Sequence, residues 1–141
     1  MKTEEIFEYV QKQYGTVPEY LWIKSPDSAV LRHKNGKWYA IIMAVEKKTL
    51  GLEEDGKINI LDVKCDPDLA IELREQYSYV MPGYHANKKY WNTIVYDKAK
   101  EEQMKEWMLH SYTEVVKKLP KIKREKLFEQ LKKTGNLDDR L

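Results

Sequence analysis

The sequence predicts an α+β protein in which an antiparallel sheet packs against helices grouped on one side. Apolar residues recur at helical spacing towards both ends of the chain, β-rich runs fill the middle, and an Asn35-Gly36 pair joins two of those runs. The predicted order is helix, three strands, helix, a short strand and a longer one, then helix. This order favours antiparallel pairing, with the helices segregated to one face of the sheet.

The first helix is predicted from the recurrence of Ile6, Val10 and Tyr14, and Gly15 ends it. Residues 16–28 follow with two prolines and no clear period. We therefore expect an ordered connection that Trp22 anchors.

Two strands, residues 29–33 and 37–45, flank Asn35-Gly36, a pair that tolerates the positive φ angles of a tight hairpin turn. A third strand at residues 57–65 alternates between two sets of side chains, and the period does not choose which set is buried. The two sets are Ile58, Ile60 and Asp62 against Asn59, Leu61 and Val63.

A second helix begins after Asp66, which caps it, with Pro67 at the first helical position. Residues 90–97 are rich in β-branched and aromatic side chains and predict a strand. The helical run that follows ends at Pro120. The predicted core side chains on these stripes are Trp38, Ile41, Met43, Leu69, Leu73, Met108 and Val115.

The chain divides into a domain at residues 1–119 and a basic helical extension at residues 120–141. The net charge is +2, but residues 117–133 hold eight Lys or Arg and only two Glu. Within the extension, residues 121–133 predict a short helix that places Leu127, Phe128 and Leu131 on one side. This helix is a candidate surface for a protein partner.

Composition and targeting patterns favour the cytoplasm. No apolar run is long enough to span a bilayer, and the start of the sequence lacks the apolar core of a signal peptide. The single cysteine, Cys65, forms no internal disulfide, which fits a reducing compartment. We expect no membrane partner.

The sequence carries no recognisable catalytic motif: it lacks a phosphate-binding glycine loop, a dinucleotide fingerprint and a hydrolase elbow. Cys65 and the three histidines, His33, His85 and His110, lack the close pair spacing of a zinc site. We therefore expect a protein without catalytic residues, metal or cofactor, in which Cys65 is a buried structural residue and not a nucleophile.

Four sequence blocks together resemble the MmcQ/YjbR family over roughly residues 4–118. The blocks are residues 14–22, 31–43, 60–70 and 83–94. The resemblance implies a CyaY-like or secretion-chaperone-like fold and a DNA-binding role through a double-wing arrangement. Residues 83–91 match the family pattern except that Ala86 stands where the family has methionine.

Two basic surfaces are the candidate nucleic-acid contacts. The hairpin tip offers Arg32, Lys34 and Lys37, and the family loop offers His85, Asn87, Lys88, Lys89 and Trp91. Lysines neutralise phosphates without reading bases, so we expect weak binding to DNA, or to RNA, with little sequence preference. The alternative for these residues is structural. The hairpin tip is then a solvated turn, and in the family loop the aromatic rings pack inward while the polar side chains hydrogen-bond the loop backbone.

A second function stays open, namely a non-enzymatic protein-interaction or chaperone-like module that uses the sheet or the C-terminal helix. A continuous basic stripe through the lysines favours nucleic acid, whereas an exposed apolar groove favours a protein ligand.

Overall fold

The computed structural model describes residues 1–34, 36–84 and 86–117. The predicted extension at residues 120–141, including its helix, therefore lies outside the described residues. The elements in chain order are α1 (Thr3–Tyr14), β1 (Ala29–Arg32), β2 (Trp38–Glu46), a 3₁₀ turn (Lys47–Leu50), β3 (Lys57–Lys64), α2 (Pro67–Gln76), β4 (Val80–Pro82), β5 (Trp91–Ile94) and α3 (Glu101–Lys117).

The strands form one antiparallel sheet in the order β1-β2-β3-β5-β4. The predicted α+β class and the grouping of the helices on one side are confirmed. The predicted strand at residues 90–97 is shorter than expected, because the backbone turns after Ile94, where the N–H of Lys98 donates to the carbonyl of Val95 at 3.3 Å.

Local chemistry sets the helix boundaries. Gly15 ends α1 at a φ of +68°, a conformation that favours glycine, and its N–H donates to the carbonyl of Gln11. The carboxylate of Asp66 accepts from the backbone N–H groups of Asp68 and Leu69 at the start of α2, and Pro67 occupies the first helical position. Both predicted boundaries are confirmed.

The helix-side face of the sheet carries the main core. A β-bulge shifts the β1–β2 pairing from Leu31 opposite Ala40 to Arg32 opposite Trp38, so Tyr39 and Ala40 both point towards the helices. There Tyr39 and Tyr112 lie in an edge-to-face arrangement with ring centroids 5.0 Å apart. The side chains buried in this layer include Ile6, Val10, Tyr14, Leu31, Leu61, Val63, Ile94, Met104, Met108 and Val115.

We call the opposite side of the sheet the open face, since no α-helix of the described residues packs on it. It is formed by Trp38, Ile41, Met43, Val45, Ile58, Ile60, Asp62 and Thr93. The two alternating sets predicted for β3 therefore exist, and both contribute buried side chains. Leu61 and Val63 meet the helices, whereas Ile60 and Asp62 are buried on the open face.

The predicted sheet-helix core is correct for Met108 and Val115, which are buried in it, whereas Ile41 is buried on the open face. The other four predicted core side chains are only half-buried: Trp38, Met43, Leu69 and Leu73. Trp38 and Met43 belong to the open face, which no helix covers, and the two leucines lie on α2, which packs over the short strands β4 and β5 near the sheet edge.

Candidate nucleic-acid interface

Two hairpin loops lie at the same end of the sheet. The first hairpin, residues 33–37, joins β1 to β2; the second, residues 83–90, joins β4 to β5. Arg32 pairs with Trp38 at one loop, and Lys64, the last residue of β3, pairs with Trp91 at the other. Since β3 lies between β2 and β5, the end of β3 separates the two hairpins. Their midpoints are three strand spacings apart, roughly 14 Å.

Turn chemistry holds the first hairpin. The N–H of His33 donates to the carbonyl of Lys37 at 2.7 Å, and Gly36 adopts a φ of +88°. Asn35, predicted to share this turn, lies outside the described residues. Arg32 makes intramolecular contacts: its guanidinium donates to the Glu19 carboxylate at 2.5 Å and to the Gly36 carbonyl at 3.1 Å. The exposed cations of this tip are Lys34 and Lys37.

The second hairpin uses part of its polar set to hold itself. The Lys88 ammonium donates to the Gly83 carbonyl at 3.0 Å, and the Asn87 side chain accepts from the backbone N–H of Lys89 at 3.0 Å. The Lys89 ammonium is exposed and lies 5.4 Å from the centroid of the Tyr90 ring. His85 lies outside the described residues. Of the described cations in this loop, Lys89 is the one most available to a ligand.

Trp91 is half-buried against the backbone of the same hairpin. A Cβ atom added at Gly83 would lie 2.8 Å from the Cβ of Trp91 and 3.0 Å from its carbonyl oxygen, so a side chain there would push the two backbones apart. The N–H of Gly83 also donates to the carbonyl of Trp91 at 3.0 Å. The close approach of the two backbones therefore accounts for glycine at position 83.

Arg74 of α2 fixes the second hairpin to the domain, a role that the sequence did not reveal. Its guanidinium donates to the Asn92 side chain at 2.6 Å, to the Trp91 carbonyl at 3.2 Å and to the Lys88 carbonyl. Asn92 in turn donates to the Ala70 carbonyl of α2 at 3.2 Å. These contacts join residues that are 14 to 22 positions apart in sequence. No local pattern in the sequence predicts them.

The open face carries a groove of about 620 Å³. It begins beside the hairpins at Trp38 and Tyr84 and extends past Met43 to Glu46 and Thr49 at the other end of β2. Trp22, from the connection between α1 and β1, forms a wall, and its ring meets Trp38 edge-on at a centroid distance of 5.9 Å. Trp22, predicted to anchor this connection, does contact the sheet at Trp38, but its ring remains 36% exposed.

Asp62 is the buried carboxyl group of the open face. The Thr93 hydroxyl donates to its Oδ1 at 2.5 Å and accepts from the backbone N–H of Tyr84 at 2.7 Å. Asp62 Oδ2 has no hydrogen-bond partner among the described residues. Burial raises the pKa of this carboxyl to about 7, while the Thr93 hydrogen bond and the charge of Lys88 oppose the shift.

Cys65 lies between the two hairpins at the junction of β3 and α2. Its side chain is 3% exposed, and burial raises the pKa of the thiol to about 12. This is the reverse of the exposed, low-pKa setting of a nucleophilic thiol. Within residues 1–34, 36–84 and 86–117, no three His, Cys, Asp or Glu side chains are grouped to hold a metal ion. In the same ranges, no helix has the length and apolar character to cross a membrane.

Five of the eight predicted contact residues are exposed at one end of the sheet: Lys34, Lys37, Asn87, Lys88 and Lys89. Asn87 and Lys88 also hydrogen-bond within their own loop, Arg32 pairs with Glu19, Trp91 is half-buried, and His85 is not described. All four lysines predicted for a nucleic-acid surface are thus exposed, and the Lys88 ammonium also donates to the Gly83 carbonyl.

Over the residues that the structure describes, the fold defines a class: an α+β domain with a five-stranded antiparallel sheet, three α-helices on one face and two hairpin loops at one end. The sequence profile of the YjbR family matches residues 11–114, and the chain belongs to that family. It is 44% identical over 100 residues to the protein YyaQ of Bacillus subtilis (strain 168), covering 70% of this chain and 84% of YyaQ. It is 38% identical over 72 residues to YjbR of Escherichia coli (strain K12), covering 50% of this chain and 60% of that protein.

Two solved structures share the fold. A crystal structure of a Pseudomonas syringae protein has a TM-score of 0.77 at 32% identity, covering 80% of this chain and 97% of that one. A crystal structure of a Deinococcus radiodurans protein with a DUF419 domain has a TM-score of 0.69 at 23% identity, covering 89% of this chain and 87% of that one.

Proposed function

We propose that the protein binds nucleic acid non-enzymatically, weakly and with little sequence preference, through the two hairpins at the end of its sheet. The observation that carries the proposal is the position of Lys34, Lys37 and Lys89, which are exposed on two loops flanking the end of β3. Lysines on two separate loops can neutralise phosphates on both sides of a groove.

The separation of the hairpins supports a double-wing mode of binding. Their midpoints are roughly 14 Å apart, and the major groove of B-DNA is about 12 Å wide. The Arg74 contacts favour this mode too, because they hold the second hairpin in place before a ligand arrives and so lower the ordering cost of binding. We also propose a cytoplasmic location, because a single free cysteine fits a reducing compartment.

The test is a salt titration of binding to a fluorescent mixed-sequence duplex of about 20 base pairs, starting near 50 mM salt. Three phosphate contacts give a log-log slope of about −2.7. The double substitution Lys34→Gln/Lys37→Gln should make the slope shallower by up to about 1.8. A matched pair at the other end of the sheet, Lys48→Gln/Lys98→Gln, removes the same charge from exposed positions and should leave the slope unchanged.

Two results would contradict the proposal. One is the absence of any binding near 50 mM salt, where electrostatic association is strongest. The other is an equal loss of slope in both lysine pairs, which would indicate non-specific attraction spread over the whole surface.

A protein partner is the second candidate function, and a specific observation favours it. The connection between α1 and β1 exposes Val17, Tyr20, Leu21 and Ile23 within seven residues, and Ile23 is 98% exposed. Adjacent exposed apolar side chains are typical of interaction sites. A photo-crosslinking residue in place of Ile23 should then capture one defined protein, whereas the same residue in place of Ile71, which is exposed on α2, should not. Equal capture at both positions would count against this candidate.

A further inference from the structure

We propose that the groove on the open face holds an unstacked nucleobase, so that the preferred ligand is single-stranded nucleic acid. This inference rests on the proposed function and specifies its ligand. It assigns the stacking role to Trp22 and Trp38, which line the groove, in place of Trp91, which does not line it.

The groove is continuous with the basic hairpins. Trp38 is the first residue of β2 and directly follows Lys37, while Tyr84 belongs to the second hairpin, and both rings line the groove. A strand whose phosphates lie at Lys37 and Lys89 therefore has its bases next to the groove entrance. The acidic lining residue, Glu46, lies at the far end of β2, away from that entrance.

The lining suits a planar apolar ring. Trp22 and Trp38 stand nearly perpendicular, at 79°, so their rings can form two sides of a corner, and Ile41 and Met43 add apolar surface. The volume of about 620 Å³ is in the usual range for a small-ligand site. Ser25 and Ser28 also line the wall, where their hydroxyl groups are hydrogen-bonded to each other at 2.5 Å, and a hydroxyl in such a pair can still accept a hydrogen bond from a base edge.

The exposed lysines of the two hairpins beside the groove favour a polyanion over an apolar peptide as the occupant. Stacking on aromatic side chains together with a positively charged path for the backbone is the combination that single-strand binders use. A duplex keeps its bases paired and stacked, so it can reach the hairpins but not fill the groove. The protein should therefore bind a single strand more tightly than a duplex of the same sequence.

The experiment measures the affinity for a fluorescent single-stranded 12-mer and for the matching duplex, with the full chain and its variants. Trp22→Ala removes a wall that comes from the connecting segment and not from the sheet. It should weaken single-strand binding roughly 5- to 150-fold and change duplex binding less than about twofold. Tyr20→Ala is the matched control, because Tyr20 is an exposed aromatic residue of the same segment and does not line the groove.

A second variant, Met43→Glu, places a carboxylate in the groove and should weaken single-strand binding by at least about tenfold while the hairpins still bind duplex. Circular dichroism and thermal melting verify that each variant is folded. If duplex binding persists but neither variant lowers single-strand affinity, the base-binding groove is overturned and the proposed function stands. Equal weakening of both ligands would also overturn it. If wild-type protein binds neither ligand, the proposed function itself fails.

Discussion

The two faces of the sheet differ in what their aromatic residues do. On the helix-side face, Tyr14, Tyr39 and Tyr112 are buried and in mutual contact, with Tyr14 and Tyr112 stacked at 4.5 Å. On the open face, Trp22 and Trp38 touch only edge-on and remain partly exposed beside a groove. One face therefore stabilises the fold, while the other leaves part of its apolar surface exposed.

The largest difference between the two faces is expected for the free energy of unfolding, and a pair of substitutions, one on each face, tests it. Tyr112→Ala removes a ring that is 1% exposed and should lower the free energy of unfolding by about 3–5 kcal/mol. Trp38→Ala removes a larger ring that is only half-buried, so we expect less than about 2 kcal/mol. Urea unfolding measures both values. If the two losses were equal, the open face would be as important to stability as the helix-side face.

A buried acid makes the open face sensitive to pH. The pKa of Asp62 is about 7 in the folded protein against 3.8 in the unfolded chain, so the folded state holds its proton more tightly. Its contribution to stability is thus present at low pH and is lost as pH rises from about 4 to 7. His33 acts in the opposite direction, because burial lowers its pKa to about 4, and its contribution grows between about pH 4 and 6.5.

A comparison of wild type with Asp62→Asn isolates the contribution of the Asp62 carboxyl to the pH dependence of stability, because His33 is present in both proteins. Between pH 5 and pH 8 the variant should gain on the order of 2–3 kcal/mol of stability relative to wild type. Denaturant unfolding at the two pH values measures this difference. A difference that does not change with pH would mean that the Asp62 pKa is not raised.

A substitution of Arg74 tests whether α2 holds the second hairpin in place. Arg74→Ala removes the contacts to Asn92 and to two loop carbonyls, and should cost about 1.5–2 kcal/mol. It should also increase amide hydrogen exchange in residues 83–91 more than in β1 and β2. Uniform exchange across the sheet would show that Arg74 supports the whole fold.

The smallest expected effect is at the most exposed apolar residue. Ile23→Ser should change the free energy of unfolding by less than about 0.5 kcal/mol, because the side chain is 98% exposed. Thermal melting measures the change. A larger loss would mean that residues 17–23 pack on the domain in solution.

The sequence predicted the elements whose causes are local. Gly15, Gly36 and Asp66 act on their own turn or cap, and each lies where the pattern placed it. The alternation in β3 also separated the two faces correctly. The sequence did not predict which face the helices cover. Strand alternation assigns Trp38 and Met43 to one face of the sheet, but it contains no information on whether a helix packs on that face.

The candidate site was predicted only in part for a related reason. Exposure of Lys34, Lys37 and Lys89 follows from their place on loops. The internal contacts of Lys88 and the Arg74 contacts depend on segments that meet only after the sheet has formed. The groove has the same origin, since Trp22 and Trp38 come from different segments of the chain.

The rate at which the chain's only cysteine is modified measures local opening at the end of the sheet that carries the two hairpins. Cys65 is protected between β3 and α2, and its backbone N–H donates to the carbonyl of Tyr90 at 2.7 Å. A thiol reagent can reach Sγ only when this junction opens, so the rate of modification reports the frequency of that opening. A new cysteine at an exposed position such as Ile71 would react long before Cys65 does. A dye can therefore be attached at one chosen site while the native thiol stays unmodified.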